Sequence, residues 1–276
     1  MADNRPTLAI IIVTYNSREE IADCLASLVG HTEPFPTTIT VVDNGSLDGT
    51  ADVVRQRWPG VRVIDAGGNL GFSRANNLGI RATQSDYVLL INPDTVAPPG
   101  GIQTLVRGLA AHMDAAVAGP RLLDERDFPE LSWGPSISPW GEFKQKILSS
   151  LYRRRIRRVV RHVDRLSRQA RQVAWVSGAC MVIRRPDLEA VGLLDERYFM
   201  YTEDVDLCLA MARRNRRILY VAQAEILHAR GKSASRNPDT ARLRRRSHIA
   251  YYEKHHPAWA PVLRLYLKLR GLSPSP

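Results

Sequence analysis

At 276 residues with a formal net charge of +11, 44% hydrophobic and 24% charged, the chain can bury a sizeable core and has the composition of an ordinary globular protein. No apolar run approaches the roughly 18 to 20 residues that cross a bilayer, and the apolar stretch Leu8 to Val13 is too short for the core of a signal peptide. Cys24, Cys180 and Cys208 are odd in number and lack metal-ligand spacing, which argues against a disulfide framework and predicts reduced thiols in a cytoplasmic protein.

In chain order, Leu8 to Thr14 reads as a strand and is followed by a helix from about Ser17 to Val29. A strand from Thr38 to Asp43, a helix near Asp48 to Arg57, a strand from Val61 to Ala66 and a helix near Ser73 to Ala82 continue the alternation. Tyr87 to Asn92 supplies a fourth strand. Such spacing predicts an α/β fold with a mostly parallel, Rossmann-like sheet flanked by helices, whose ligand site lies outside the carboxyl ends of the strands. Those ends read Thr14-Tyr15-Asn16, Asp43-Asn44-Gly45-Ser46, Gly67-Gly68-Asn69-Leu70-Gly71 and Asn92-Pro93-Asp94.

The proline-rich stretch from Ala115 to Gln145 reads as a short strand and then irregular chain over the site. Ile147 to Val173 has apolar residues at helical spacing and predicts an amphipathic basic helix or helix pair. Between Tyr152 and Gln172 nine arginines face one acid, Asp164, so the basicity is local. A strand from Ala174 to Ile183, a helix from Glu203 to Asn215 and a short strand from Ile218 to Val221 follow. From Thr240 the chain reads as a basic helical tail.

Several of these residues suit a nucleotide diphosphate. Asp43 can accept from a base imide or a ribose hydroxyl, with Thr14 and Asn16 as short polar neighbours, although a turn capping the next helix explains the same residues. Gly67 to Gly71 lacks the G-x-G-x-x-G form of a dinucleotide site. Asp94 offers a carboxylate for a hard cation at the sheet's mouth, and His228 offers an imidazole; a simple turn and a structural histidine are the alternatives. In Phe199-Met200-Tyr201-Thr202-Glu203-Asp204-Val205-Asp206 three acids crowd a helix start. They read either as a Thr202-capped helix complementing its dipole, or as a general base whose pKa is lifted by mutual repulsion.

Taken together, Val13-Thr14-Tyr15-Asn16, Asp43-Asn44-Gly45-Ser46, Asn69-x-Gly71-Phe72 with Ala75 and Asn77, Asn92-Pro93-Asp94, Trp175-x-x-Gly178-Ala179, Phe199-x-x-x-Glu203-Asp204-x-Asp206 and His228 resemble the family 2 glycosyltransferases, and more narrowly their rhamnosyltransferase-like branch. The motifs run in the family's order from about residue 7 to 235. The resemblance implies a GT-A fold and an inverting transfer of a sugar, L-rhamnose from dTDP-rhamnose, to an acceptor hydroxyl in cell-wall or surface polysaccharide synthesis. It implies Asp204 as general base and Asp94 and His228 at a divalent cation, Mg2+ or Mn2+. Thr14, Tyr15, Asn16, Asp43, Asn69, Gly71, Phe72, Asn76, Asn77 and Asp94 would contact the nucleotide sugar, and Trp175, Gly178 and Glu203 the acceptor. Where many relatives carry Asp-x-Asp this chain has Asn92 first, and where they carry Ala-Arg-Asn it has Ala75-Asn76-Asn77.

On this reading residues 1–120 form the nucleotide-sugar-binding half, residues 121–235 the acceptor-binding and catalytic half with a basic helical insertion at about 147–173, and residues 236–276 a basic helical tail. The expected partners are a nucleotide-diphosphate sugar and a glycan or lipid-linked glycan acceptor, with no nucleic acid and with a homodimer as the assembly. The arginine-rich segment 153 to 171 and the tail Pro261 to Leu272, with Leu263, Tyr266, Leu267 and Leu269 beside Arg264, Lys268 and Arg270, are expected to lie on an anionic membrane at the inner face of the cell membrane. The rival readings are a basic nucleic-acid-binding protein, which leaves Asp94, Asp204 and His228 without a role, and a catalytically inactive sugar-nucleotide binder.

Overall fold

A computed structural model describes residues 5–135, 138–229 and 239–272. Arg230 to Ser233, which follow His228, and the expected boundary at 235–236 lie outside the described residues.

The first half alternates as the periodicity predicts: β1 (Leu8–Thr14), α1 (Glu20–Leu28), β2 (Thr37–Asp43), α2 (Thr50–Arg57), β3 (Arg62–Asp65), α3 (Phe72–Arg81) and β4 (Tyr87–Ile91). There follow β5 (Thr95–Val96), α4 (Gly101–Ala110), β6 (Ala115–Leu123), β7 (Trp133–Gly134), α5 (Pro139–Arg153), α6 (Arg157–Ser167), β8 (Arg171–Val173), β9 (Trp175–Val176) and β10 (Cys180–Arg184). The chain continues through α7 (Arg185–Ala190), α8 (Glu203–Arg213), β11 (Arg217–His228), α9 (Thr240–His255) and α10 (Ala260–Leu269). The main sheet has the order β3-β2-β1-β4-β10-β6-β11-β5, with β8 paired to β11. β1, β2, β3 and β4 pair in parallel, as do β6 and β11, while β10 runs antiparallel between β4 and β6. The carboxyl ends of β1, β2, β3, β4, β6 and β11 therefore share one edge of the sheet.

Strands buried on both faces need apolar residues at consecutive positions, and β1 shows why. Leu8, Ile10 and Ile12 pack on one face with Ile21, Leu25 and Leu28 of α1 and with Ile102, Leu105 and Leu109 of α4. Ile11 turns to the other face, where Ala75 and Ile80 of α3, Leu188 of α7 and Leu207, Cys208 and Met211 of α8 cover the sheet. The result is a sheet with helices on both sides. All three cysteines are free and buried.

The middle of the chain departs from expectation. The prolines there read as breakers, but Pro120 lies inside the fully buried nine-residue β6. Pro139 opens α5 at a first-turn position, where its missing N–H costs no hydrogen bond. Ser138 caps that helix by accepting from the Gly141 N–H at 3.1 Å. Among the described residues of this stretch, irregular chain is thus confined to the segment between β6 and α5, where it flanks β7. The strand expected from Ala174 to Ile183 is broken at Ser177 to Ala179 into β9 and β10, and the short strand at Ile218 to Val221 is a twelve-residue β11 with a register shift between Val221 and Glu225.

The basic helix pair is present as α5 and α6, but it begins before Ile147, at Pro139, and ends at Ser167; Arg171–Val173, expected to be helical, form β8, which pairs with β11. Val163 and Ser167 of α6 are buried, whereas Arg157, Arg158, Arg161, Arg165 and Arg168 are exposed. Arg121, buried in β6, is bonded to Asp164 at 3.1 Å and to Glu225. In the tail, Tyr251, Tyr252 and Ala260 pack on Tyr198 and Val205, with Leu263 against the same cluster. Leu263 and Leu267, expected to meet lipid, thus face inward; the outward face of the tail is Trp259, Val262, Leu265, Tyr266 and Leu269.

Candidate active site

At the ends of β1 and β2, side chains bind one another. Thr14 Oγ1 donates to Asp43 Oδ1 at 3.1 Å and the Ser46 N–H donates to Asp43 Oδ2 at 3.1 Å. Asn16, at φ 50°, donates through its N–H to Ser46 Oγ and accepts from the Leu47 N–H at 2.8 Å. Asn44 is the stitch to the next loop: its Nδ2 donates to Asn69 Oδ1 at 3.0 Å, and its Oδ1 accepts from the Leu70 N–H at 2.8 Å. Asn69 also receives the Gly71 N–H, so the glycine-rich segment is shaped by two asparagines. Thr14 and Asp43 are thus bonded to each other, Asn69 is tied to the neighbouring Asn44, and Tyr15 is 40% exposed.

Gly71 shows why this position excludes a side chain. Its φ is +81°, and an added Cβ would stand 2.5 Å from the carbonyl oxygen of Phe199. The close approach is fixed by the Phe72 N–H, which donates to that same oxygen at 2.6 Å. The start of α3 is thereby clamped to the segment before α8.

Asn76 and Asn77 are taken up by the protein. Asn76 Nδ2 bonds back to the Phe72 carbonyl, and fully buried Asn77 donates to the Leu194 carbonyl and to Glu196 while accepting from the Leu194 N–H. Both amides thus have protein partners. A small polar amide at that helix turn holds the 194–196 loop, which sequence spacing had no means of placing beside α3.

The second group of candidates comes from three distant stretches. β5 pairs with β11 so that His228 is opposite Thr95, and the Ala229 N–H donates to the Asp94 carbonyl at 2.9 Å. This brings His228 Nε2 to 3.3 Å from Asp94 Oδ1. On the other side of the ring Nδ1 lies 3.2 Å from Glu130 Oε2. Burial alone pulls the imidazole pKa down, but the two carboxylates outweigh it and raise the value to about 9. Asp94 Oδ1 is buried and makes no hydrogen bond of good geometry. Glu130 was missed by the sequence reading: a single acid in a turn between prolines carries no pattern.

The third group sits at the break between β9 and β10. The Gly178 N–H donates to Asp204 Oδ2 at 2.9 Å, and the Val205 N–H donates to Oδ1 at 2.8 Å. A Cβ on Gly178 would meet Asp204 Cβ at 3.4 Å and the Phe72 ring at 3.6 Å, so these three residues form one small wall. The neighbouring Ala179 carbonyl accepts from the Asn92 N–H at 2.9 Å, which ties Asp204 to the segment carrying Asp94. Burial pushes the Asp204 carboxyl above the ordinary aspartate range, against the two N–H donors that favour its charge. Burial, then the charge of Asp204, holds the buried Glu203 carboxyl well above its usual value. Mutual repulsion among three acids is thus not what lifts Asp204. Asp206 turns away: Tyr198 Oη, Lys254 Nζ and His255 Nε2 all reach its carboxylate.

Thr202 does not cap α8. It lies in the left-handed region at φ 77°, after Tyr201 at φ 72°, and its side chain makes no cap hydrogen bond. Two consecutive non-glycine residues in that region cost on the order of 1–3 kcal/mol each and are concentrated at functional sites. Trp175 donates through Nε1 to the Pro135 carbonyl at 3.0 Å and packs between two apolar clusters. A cavity of about 580 Å³ lies instead at the amino-terminal edge of β2 and β3, beside Thr37, Trp58, Arg62 and Thr83, away from every candidate residue.

A profile described as glycosyltransferase-like family 2 matches residues 6–260. The chain belongs to glycosyltransferase family 2. As a family 2 glycosyltransferase it is 33% identical over 276 residues to the N-acetylglucosaminyl-diphospho-decaprenol L-rhamnosyltransferase of Mycobacterium tuberculosis, covering 95% of this chain and 89% of that protein. It is 27% identical over 236 residues to rhamnosyltransferase WbbL of Escherichia coli K12, covering 79% of this chain and 82% of that one. Among solved structures, the mannosyltransferase PcManGT from Pyrobaculum calidifontis, in complex with GDP-Man and Mn2+, superposes with a TM-score of 0.61 at 19% identity over 95% of this chain and 69% of that chain. The glycosyltransferase fold is GT-A.

Proposed function

We propose that this glycosyltransferase moves L-rhamnose from dTDP-rhamnose to a hydroxyl of a lipid-linked glycan, with inversion at the sugar's anomeric carbon. The observation that carries the sugar and acceptor class is the identity of 33% across 95% of the chain to a rhamnosyltransferase named for a diphospho-decaprenol substrate. The observation that carries the chemistry is the half-buried Asp204 carboxylate, oriented by two backbone N–H groups at the mouth of the sheet.

Asp204 accepts the proton of the acceptor hydroxyl as that oxygen forms its bond to the anomeric carbon. The bond from that carbon to the diphosphate oxygen breaks on the opposite face, and the nucleoside diphosphate leaves with the electron pair. Direct displacement inverts the centre and needs no covalent sugar intermediate. A base held this way contributes about 100 to 10,000-fold in rate. Asp43 and Thr14 are assigned to the nucleoside, with Asn69 and the Gly71 backbone beside the donor. Residues 1–120 then serve chiefly the donor, and residues 121–235 supply the base and the acceptor side, with Glu203, Gly178 and Trp175 nearest the acceptor.

Asp94 and His228 fit a divalent cation. They are buried, face each other at 3.3 Å, and Asp94 Oδ1 lacks a hydrogen bond. Among the described residues no group of three or more His, Cys, Asp or Glu forms a cage. Mg2+ or Mn2+ would be held there by these one or two protein groups and completed by donor phosphates and water. Bound there, the cation would neutralise charge on the departing diphosphate.

No helix among the described residues is long and apolar enough to cross a membrane. A lipid-linked acceptor would be met from the cytoplasmic surface of the bilayer, and the outward face of α10 supports that reading. Val262, Leu265, Tyr266 and Leu269 are each more than half exposed, with exposed Lys268 and Arg270 alongside.

The deciding experiment is a thermal-shift screen of dTDP-rhamnose, UDP-sugars and GDP-sugars with Mn2+, followed by transfer assays with a polyprenyl-diphosphate-linked GlcNAc acceptor. Stabilisation and turnover with dTDP-rhamnose are expected; turnover only with another donor overturns the sugar assignment.

A further inference from the structure

We infer that Glu130 is a positioning residue for His228: its carboxylate keeps the proton on Nδ1 and so turns Nε2 toward Asp94. The consequence for a cation rests on the function proposed above; the orientation of the ring does not.

The fold brings these residues together by a specific route. β11 runs parallel to β6, with Leu227 beside Leu123. After β6 the chain reverses in a tight hairpin. Asp124 accepts the N–H groups of Arg126 and Phe128 through Oδ1, Leu123 bridges Pro129, and the Glu130 N–H donates to the Leu122 carbonyl at 2.8 Å. The reversal sets Glu130 against the last residue of β11, 98 positions away in sequence. Its side chain is 4% exposed and that of His228 10%.

The chemistry of the contact is directional. A cation binds an imidazole only at a nitrogen that gives up its proton, and the hydrogen bond made by the other nitrogen decides which of the two keeps one. A carboxylate is only an acceptor, so Glu130 requires Nδ1 to donate and leaves Nε2 as the coordinating atom, 3.3 Å from Asp94 Oδ1. The pairing also stops the ring from flipping, because a flip would set a carbon against the buried carboxylate. In metal sites generally, loss of such a carboxylate behind a coordinating histidine costs 10–100-fold in affinity.

Two measurements on the full chain test this. The first uses no metal: ¹⁵N–¹H NMR of selectively histidine-labelled protein, with His228 identified by its loss in His228→Asn. The wild type should show an Nδ1–H signal shifted downfield and protected from exchange, absent in Glu130→Ala. The second is Mn2+ binding read by electron paramagnetic resonance in the presence of dTDP. Glu130→Ala should weaken Mn2+ by 10–100-fold. Glu130→Gln, which keeps the shape and a neutral acceptor oxygen, should retain the signal and lose less affinity. A Glu130→Ala protein with the wild-type His228 signal and unchanged Mn2+ affinity overturns the inference. If Glu130→Ala fails to fold, Glu130→Gln decides: Mn2+ affinity indistinguishable from wild type overturns the inference, and an intermediate loss supports it. A wild type that binds no Mn2+ overturns the proposed cation site instead, and the metal-free spectrum still decides the role of Glu130.

Discussion

The backbone N–H of Gly178 donates to Oδ2 of Asp204 at 2.9 Å, joining the break between β9 and β10 to the first turn of α8. That bond, with the Val205 N–H on Oδ1, fixes the carboxylate while leaving its remaining lone pairs for an acceptor hydroxyl. Asp204→Asn keeps the shape but cannot take a proton. Turnover in the transfer assay should fall about 100 to 10,000-fold, with donor affinity in the thermal-shift assay preserved. Wild-type turnover in a folded Asp204→Asn protein removes Asp204 from the mechanism.

The pH profile follows from the same environment. Burial raises the Asp204 pKa above the ordinary aspartate value of about 3.9, and a base must be ionised to act. Turnover should therefore fall as pH drops through the raised pKa, with the acid limb at higher pH than an exposed aspartate would give. The sign for stability runs the other way. The folded state binds this proton more tightly than the unfolded chain, so the contribution of Asp204 to stability is greatest below the unfolded pKa and is lost as pH rises through the folded one. A kcat profile from pH 4 to 8, paired with thermal melts, checks both directions.

Gly71→Ala tests the clamp between α3 and the segment before α8. The left-handed backbone alone costs on the order of 1–3 kcal/mol for a residue with a Cβ. The overlap with the Phe199 carbonyl at 2.5 Å adds to this, because a backbone atom cannot swing aside. Urea unfolding should show a loss of at least about 1 kcal/mol, and donor affinity should fall with it. An unchanged midpoint would mean that the loop adapts freely.

Tyr266→Ser with Leu269→Ser changes only the outward face of α10, so folding should be preserved. Wild type should sediment with vesicles of phosphatidylcholine containing phosphatidylglycerol and less with phosphatidylcholine alone. The double variant should lose most of this binding, and Lys268→Glu with Arg270→Glu should lose the preference for anionic lipid. Equal sedimentation of all proteins with both vesicles, or a dimer that the serine pair dissociates without any vesicle binding, removes the membrane reading.

Much of the donor side is readable along the chain because its signals are local. The apolar runs of β1, β2 and β4 and the helical spacing of α3 fix a parallel sheet, and the sheet's own geometry points to Thr14, Asp43 and Asp94 at one edge. The helix at Pro139 was hidden because a proline stops one helix and starts another with the same ring. The acids in the first turn of α8 suit the helix dipole, and the backbone angles of Tyr201 and Thr202 remove only the cap that Thr202 was expected to supply. Identical residue types then parted company: Asp204 faces Gly178 at the mouth, while Asp206 is bound to Lys254 and His255.

The sequence by itself determined the fold class, the family and the short list of candidate acids, since periodicity and motif order are properties of neighbouring residues. Tertiary structure alone decided which of them meet. The pairing of β11 with β5 and β6 joins Asp94, Glu130 and His228; burial raises the pKa of Asp204, and the two neighbouring carboxylates raise that of His228 against burial. Contacts across about a hundred residues depend on strand register and desolvation, and neither is written in any one stretch of chain.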